Sequence, residues 1–220
     1  MKSGTQKFQR ARSLEAKERR ETTILQAART LAATQGVRKI SLGDIADGVG
    51  MHKSALLRYF ETREEIFLIL TGDCWREWSA AVRKDLKEIA EVSALKFSAT
   101  LAKTLTARPM FCDLLAQAPL NLERNVSLDA IRSFKLIALN EVKLIGSELK
   151  RLKLSTRQAT DTVATATSMA GALWQMATPA AEVLALYRNE PQLAHGIVDV
   201  ERRLTRILAA LIAGFLLEEH

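Results

Sequence analysis

Apolar residues recur at spacings of three and four along almost the whole chain, and no stretch alternates at period two for the length of a strand. That pattern predicts an all-α protein. In residues 14–35, Ile24, Ala27, Ala28, Leu31 and Ala32 fall on one helical stripe, and Gly36 follows as a left-handed cap. Ser41 can then cap a short helix, with Asp44 three residues on as its reciprocal partner. Ala46, Gly50 and Leu56 stand where two crossing helices need a small residue, a turn glycine and an apolar plug. The second of these helices, about 52–59, keeps polar and basic residues on its remaining face, as a helix destined for a DNA groove does. Thr62 with Glu65 opens a long helix to about residue 88, carrying Ile66, Phe67, Ile69, Leu70, Trp75, Trp78 and Val82. Its length takes it out of the first bundle and into a second.

Further helices are predicted over 93–107, 110–117, 127–152, 155–178 and 198–217, with Pro109, Pro119, Pro179 and Pro191 as breaks. Residues 179–197 read as a connection. Residues 1–12 hold Lys2, Lys7, Arg10 and Arg12 with little apolar content. They read as an arm ahead of the first helix, able to follow a DNA backbone or enter its minor groove. Two domains result: residues 1–64, an arm with a helix-turn-helix, and residues 65–220, a helical unit.

Charge sharpens this division. The chain has 220 residues and a net charge of +7, and residues 1–64 carry +6 of it while residues 65–220 carry +1. A basic first third on a nearly neutral remainder points to a nucleic-acid module joined to something else. Arg38 and Lys39, directly before a helix N-terminus, are placed to meet a phosphate. Cys74 and Cys112 are too few for a metal or disulfide framework. The apolar runs are too short to span a bilayer, and a cytoplasmic location is expected. His52, His195 and His220 lie far apart with no nucleophile or ligand motif beside them. Neither an enzyme nor a cofactor is implied.

The stretch ILQAARTLAATQGVRKISLGDIADGVGMHKSALLRYFETREEIF resembles the N-terminal domain of TetR-type bacterial transcriptional regulators. The matching positions are Ala27, Ala28, Gly36, Ser41, Ile45, Ala46, Gly50, Lys53, Leu56, Tyr59, Phe60, Arg63 and Glu64. The later stretch RPMFCDLLAQAPLNLERNVS looks like one subgroup of the family's C-terminal domains. The resemblance implies a homodimer that offers two recognition helices to a near-palindromic DNA operator. It implies repression relieved when an unidentified small apolar effector binds the C-terminal domain; an activator, or a regulator under a protein partner, is the alternative.

For DNA contact the candidates are Ser41, His52, Lys53, Ser54, Ala55, Leu57, Arg58, Tyr59 and Arg63. Arg58 can bond guanine O6 and N7 together, worth about 1–3 kcal/mol of discrimination. Lys53 can do so less rigidly. Ser41, Tyr59 and Arg63 match family positions that grip the phosphate backbone. Ala55 and Leu57 depart from the family's usual threonine and tyrosine, and offer only apolar contact. For the effector, Trp78, Phe97, Leu101, Leu105, Met110, Phe111, Leu115, Phe134, Ile137 and Trp174 are the candidates to line a cavity, although apolar residues at helical spacing are more often plain core. Glu141, within an apolar stretch, would favour a cationic ligand if buried. For the dimer, Leu204, Leu208, Leu211, Ile212 and Phe215 of the last helix and the small-residue tract with Ala166, Ala170 and Leu173 predict a four-helix bundle between two copies.

Overall fold

The computed structural model describes residues 3–91 and 93–218, with the backbone alone for residues 3–14. Its elements are ten helices: α1 Ser3–Gln35, α2 Leu42–Gly48, α3 Lys53–Leu56, α4 Arg63–Lys87, α5 Ala94–Thr106, α6 Pro109–Gln117, α7 Leu128–Leu149, α8 Thr156–Ala177, α9 Ala181–Asn189 and α10 Val200–Leu217. No strand occurs among the described residues.

The chain punctuates itself where its side chains can replace missing helical hydrogen bonds. Ser41 accepts from the Asp44 amide at 3.2 Å while Asp44 accepts from the Ser41 amide at 2.7 Å, a complete capping box on α2. The Ser41 hydroxyl first, and the Ser41 amide after it, hold the Asp44 carboxyl below the usual carboxylate range. Ser155 and Gln158 repeat the box on α8, and Thr62, Ser93, Ser127 and Asp199 cap α4, α5, α7 and α10 with one side chain each. Gly50 takes φ +64° in the turn between α2 and α3, a conformation that costs a residue with a Cβ about 1–2 kcal/mol.

Three expectations are corrected. Residues 3–12 are not an arm outside the first helix, because α1 starts at Ser3; residues 1–2 of the expected arm lie outside the described residues. Gly36 is not a left-handed cap, since its φ of 82° comes with ψ of 147°, a region open essentially to glycine alone. The connection over 179–197 contains α9 and a 3-10 turn, Pro191–Gly196, with Tyr187 stacked on Gly196.

α4 is the structural spine. Its buried face, from Ile66 and Phe67 through Leu70, Trp75, Trp78 and Val82 to Leu86, packs on α7 and α5. Trp78 Nε1 donates to Thr104 Oγ1 of α5 at 3.0 Å, so its one polar atom is satisfied in the core. Trp75 meets Trp78 and Phe111 edge-on, with ring centroids 5.5 and 5.6 Å apart. α6 lies so close to α8 that a Cβ on Gly171 would sit 2.9 Å from the Ala116 amide nitrogen. α10 packs along α5 and against α8, burying Leu204, Leu208 and Ile212.

Candidate nucleic-acid interface and its link to the helical domain

The head of the molecule comprises the second half of α1, α2, α3 and the start of α4. Ile24, Ala28, Val37, Ile40, Ile45, Ala46, Leu56, Phe60 and Phe67 are buried there. That core fixes α3 by its inner side through Leu56, leaving the outer side free. α3 has one regular turn, Lys53–Leu56, and the amides of Leu57, Arg58 and Tyr59 carry the winding on by bonding Lys53, Ala55 and Leu56. His52, Lys53, Ser54, Leu57 and Arg58 are all exposed on this one short element, and Ala55 and Tyr59 are half-buried. Leu57 is 46% exposed, an apolar side chain with nothing of its own chain covering it. Ser41 is exposed at the N-terminus of α2. Its hydroxyl accepts from the Asp44 amide at the start of α2.

Arg63 is placed differently from its expected role on phosphate. Its side chain is only 13% exposed. The guanidinium donates to the carbonyls of Ile40 and Val37, pairs with Glu64 at 2.8 Å and lies 4.8 Å over the Phe67 ring. Its donors are spent inside the head, tying the segment before α2 to the start of α4.

A second tie joins the head to the helical domain, and nothing in the sequence marked it. Asp113 of α6 accepts the Val37 amide on Oδ2 at 2.8 Å and Gln175 Nε2 of α8 on Oδ1 at 2.8 Å. A Cβ on Gly36 would stand 3.7 Å from the same Oδ2. Arg29 of α1 adds an ion pair with Glu77 of α4 at 2.9 Å. Around Asp113 lies a cleft of about 600 Å³ with Arg38 and Lys39 on the head side and Met110 and Trp174 on the other.

The residues expected around an effector separate into two groups. Trp78, Phe97, Leu101, Leu105 and Phe111 are fully enclosed in the core. Met110 and Trp174 line the cleft just described, Leu115 is half-buried, and Phe134 and Ile137 line a second cavity of about 380 Å³ between α4 and α7. Leu68, Ile69 and Ala130 complete its apolar lining, and Glu65, Arg76 and Asp129 stand among its polar residues. Glu141 is 7% exposed and accepts from Asn140 Nδ2 at 3.1 Å, so it faces inward instead of into solvent. The Ser98 hydroxyl on α5, also buried, has no hydrogen-bond partner among the described residues. Burial pushes both thiols, Cys74 and Cys112, up to about 12, which leaves almost no reactive thiolate at neutral pH.

The expected dimer residues need correction. Ala166, Ala170, Leu173, Leu204, Leu208 and Ile212 are buried by their own chain, and Leu211 and Phe215 are half-buried. The faces left open are the opposite ones: Ala164, Ser168, Ala172 and Met176 on α8, and Ala210, Ala213, Gly214 and Leu217 on α10. A Cβ on Gly214 would meet nothing within 4 Å.

An exposed helix behind a capped, glycine-turned partner, with a basic surface and a separate helical body, defines a helix-turn-helix DNA-binding protein with a regulatory domain. Residues 24–70 match the model described as bacterial regulatory proteins, tetR family, and residues 73–219 match the tetracyclin repressor-like C-terminal domain. The chain belongs to the TetR family: it is a DNA-binding transcriptional regulator and not an enzyme. No curated protein matches the sequence. Among solved structures, it is similar to RolR in complex with resorcinol, at 14% identity over 93% of this chain and 91% of that one, with a TM-score of 0.59. FadR of Thermus thermophilus, a repressor in complex with lauroyl-CoA, gives 17% identity over 91% and 97%, with a TM-score of 0.59. FadR of Bacillus subtilis in complex with stearoyl-CoA gives 16% over 88% and 98%, with a TM-score of 0.56. These likenesses establish the fold. No helix among the described residues is long and apolar enough to cross a membrane.

Proposed function

We propose that this chain is a dimeric, sequence-specific repressor of a near-palindromic operator, released when a small apolar molecule enters the cavity between α4 and α7. The observation that carries the reading is the continuity of α4. One unbroken helix starts at the Arg63 clamp beside the DNA-reading element and runs on past the cavity lined by Phe134 and Ile137. A ligand that wedges α4 from α7 therefore tilts the helix on which the head is mounted, and the head turns with it. Spacing between two heads sets which half-site separation a dimer can reach, so a tilt on each side lowers affinity for the operator. Arg58 and Lys53, with His52 and Ser54 beside them, face base edges, Leu57 and Ala55 contact thymine methyls or sugars, and Ser41 and Tyr59 hold the backbone.

The cavity, at about 380 Å³, is at the small end for ligand sites, which favours a single-ring or short aliphatic compound over a whole acyl-CoA. RolR's ligand is of that size class. Glu65, Arg76, Ser127, Asp129 and Ser133 supply the polar groups of the cavity's lining. Resorcinol and lauroyl-CoA are suitable probes in a thermal-shift assay. A compound present at a hundred times its Kd stabilises by about 2.7 kcal/mol, roughly 5–10 °C for a chain this size. Resorcinol, or a similar single-ring compound, is expected to give that shift and to free the protein from DNA. A ligand that stabilises the protein and tightens its hold on DNA would contradict release. A shift retained in Phe134→Arg would contradict the cavity assigned.

A further inference from the structure

We propose that the part of α1 around Lys17 and Arg20 is a second DNA-contacting element, in which these two cations, with Tyr59, seat a backbone phosphate next to the base-reading Arg58. This rests on the reading above, in which the Lys53–Tyr59 segment faces DNA.

A cleft of about 460 Å³ is lined by Ala16, Lys17, Arg20, Arg58 and Tyr59. Three cations therefore surround one concavity, and a hydroxyl-bearing ring forms part of its wall. Lys17 reaches an acid, Glu21, at 3.6 Å, but both side chains are solvated, so that pair contributes little. Cations gathered round a cleft repel one another, and an anion within it relieves the repulsion. The cleft abuts Arg58, the residue assigned to base reading, so an anion there lies alongside the strand whose bases α3 reads.

The shape of α1 leads to the same place. Residues 15–20 are all exposed, and the first fully buried residue among those of the helix from position 15 onward is Ile24. With 33 residues, α1 is about 50 Å long, well beyond what the head's core needs. Residues 15–20 bury no apolar side chain, and pairs one turn apart support the helix there, Arg19 with Glu15 at 2.6 Å and Lys17 with Glu21. Residues 3–14 carry Lys7, Arg10 and Arg12 and no acid. A basic helix that runs outward from beside the recognition element suits the phosphate ridge flanking the half-site.

The test uses the full chain and a duplex selected by it from a random-sequence library. Affinity for that duplex is measured against salt for the wild type and for the double variant Lys17→Gln/Arg20→Gln. Both side chains are exposed, so the variant should keep the fold, which circular dichroism verifies. The proposal expects the slope of log K against log salt to fall by about 0.9 for each phosphate contact removed. It also expects the variant to select the same sequence. An unchanged slope, or a changed selected sequence at the same slope, would overturn the proposal while leaving DNA binding intact. Failure of the wild type to enrich any duplex would instead overturn the DNA-binding reading on which the proposal rests.

Discussion

Arg63→Ala is expected to loosen the head and lower the protein's stability by about 2–4 kcal/mol. The guanidinium supplies charge-assisted bonds to the carbonyls of Val37 and Ile40, each class of bond being worth about 1.5–3 kcal/mol. Its removal leaves those carbonyls and Glu64 without their partner and strips the cation from over Phe67. In melting temperature the loss corresponds to roughly 4–16 °C. Arg63→Lys, the residue the family usually carries, restores one charged donor but not the fork, and should fall between the two. Base preference should not move in either variant. A melting temperature unchanged in Arg63→Ala, with weaker binding to every DNA, would return Arg63 to a phosphate-contacting role.

The second large effect is expected on the open faces of α8 and α10. Ala172→Arg combined with Ala213→Arg places long charged side chains where small ones let helices approach closely. Two copies packed through these faces cannot accommodate them, and the protein should sediment as a monomer. A monomer reaches one half-site at a time and loses the gain of linked binding, about 10²–10⁴-fold in affinity. Leu208→Arg is a different experiment, since Leu208 is enclosed by its own chain and the charge would disrupt the fold itself. A double variant that stays dimeric by sedimentation would refute these faces as the interface.

What the sequence made legible was whatever is decided within a few residues. Ser41 with Asp44 and Gly50 announce their roles by local hydrogen bonding and backbone freedom, and the structure places each there. Thr62 caps α4 as expected, but the Glu65 carboxylate turns to the Glu61 amide instead of completing the box. The heptad-like spacing of Leu204, Leu208 and Ile212 correctly marked a buried stripe of α10, but periodicity does not say which neighbour buries it. That neighbour is α5 of the same chain. On α8 alanine occupies the buried and the open face alike, so composition offered no way to choose between them. The stretch before Ile24 lacks the strong apolar stripe that marks the rest of α1, and the charge pairs over residues 15–21 read in sequence as a solvated tail. α9 buries nothing and was masked by the prolines on either side. Asp113 was invisible for a deeper reason. It meets Val37 across 76 positions of chain, and no local pattern anticipates such a contact.

The central claim is that the exposed face of Lys53–Tyr59 reads DNA sequence. Its most direct test is competition binding at fixed salt between a duplex selected from a random library and random duplex, for the wild type and Arg58→Ala. The account predicts that the wild type prefers the selected duplex by at least 10³-fold. It also predicts that Arg58→Ala loses about 1–3 kcal/mol of that preference, confined to one or two base pairs per half-site. Equal affinity of the wild type for the two duplexes would contradict it.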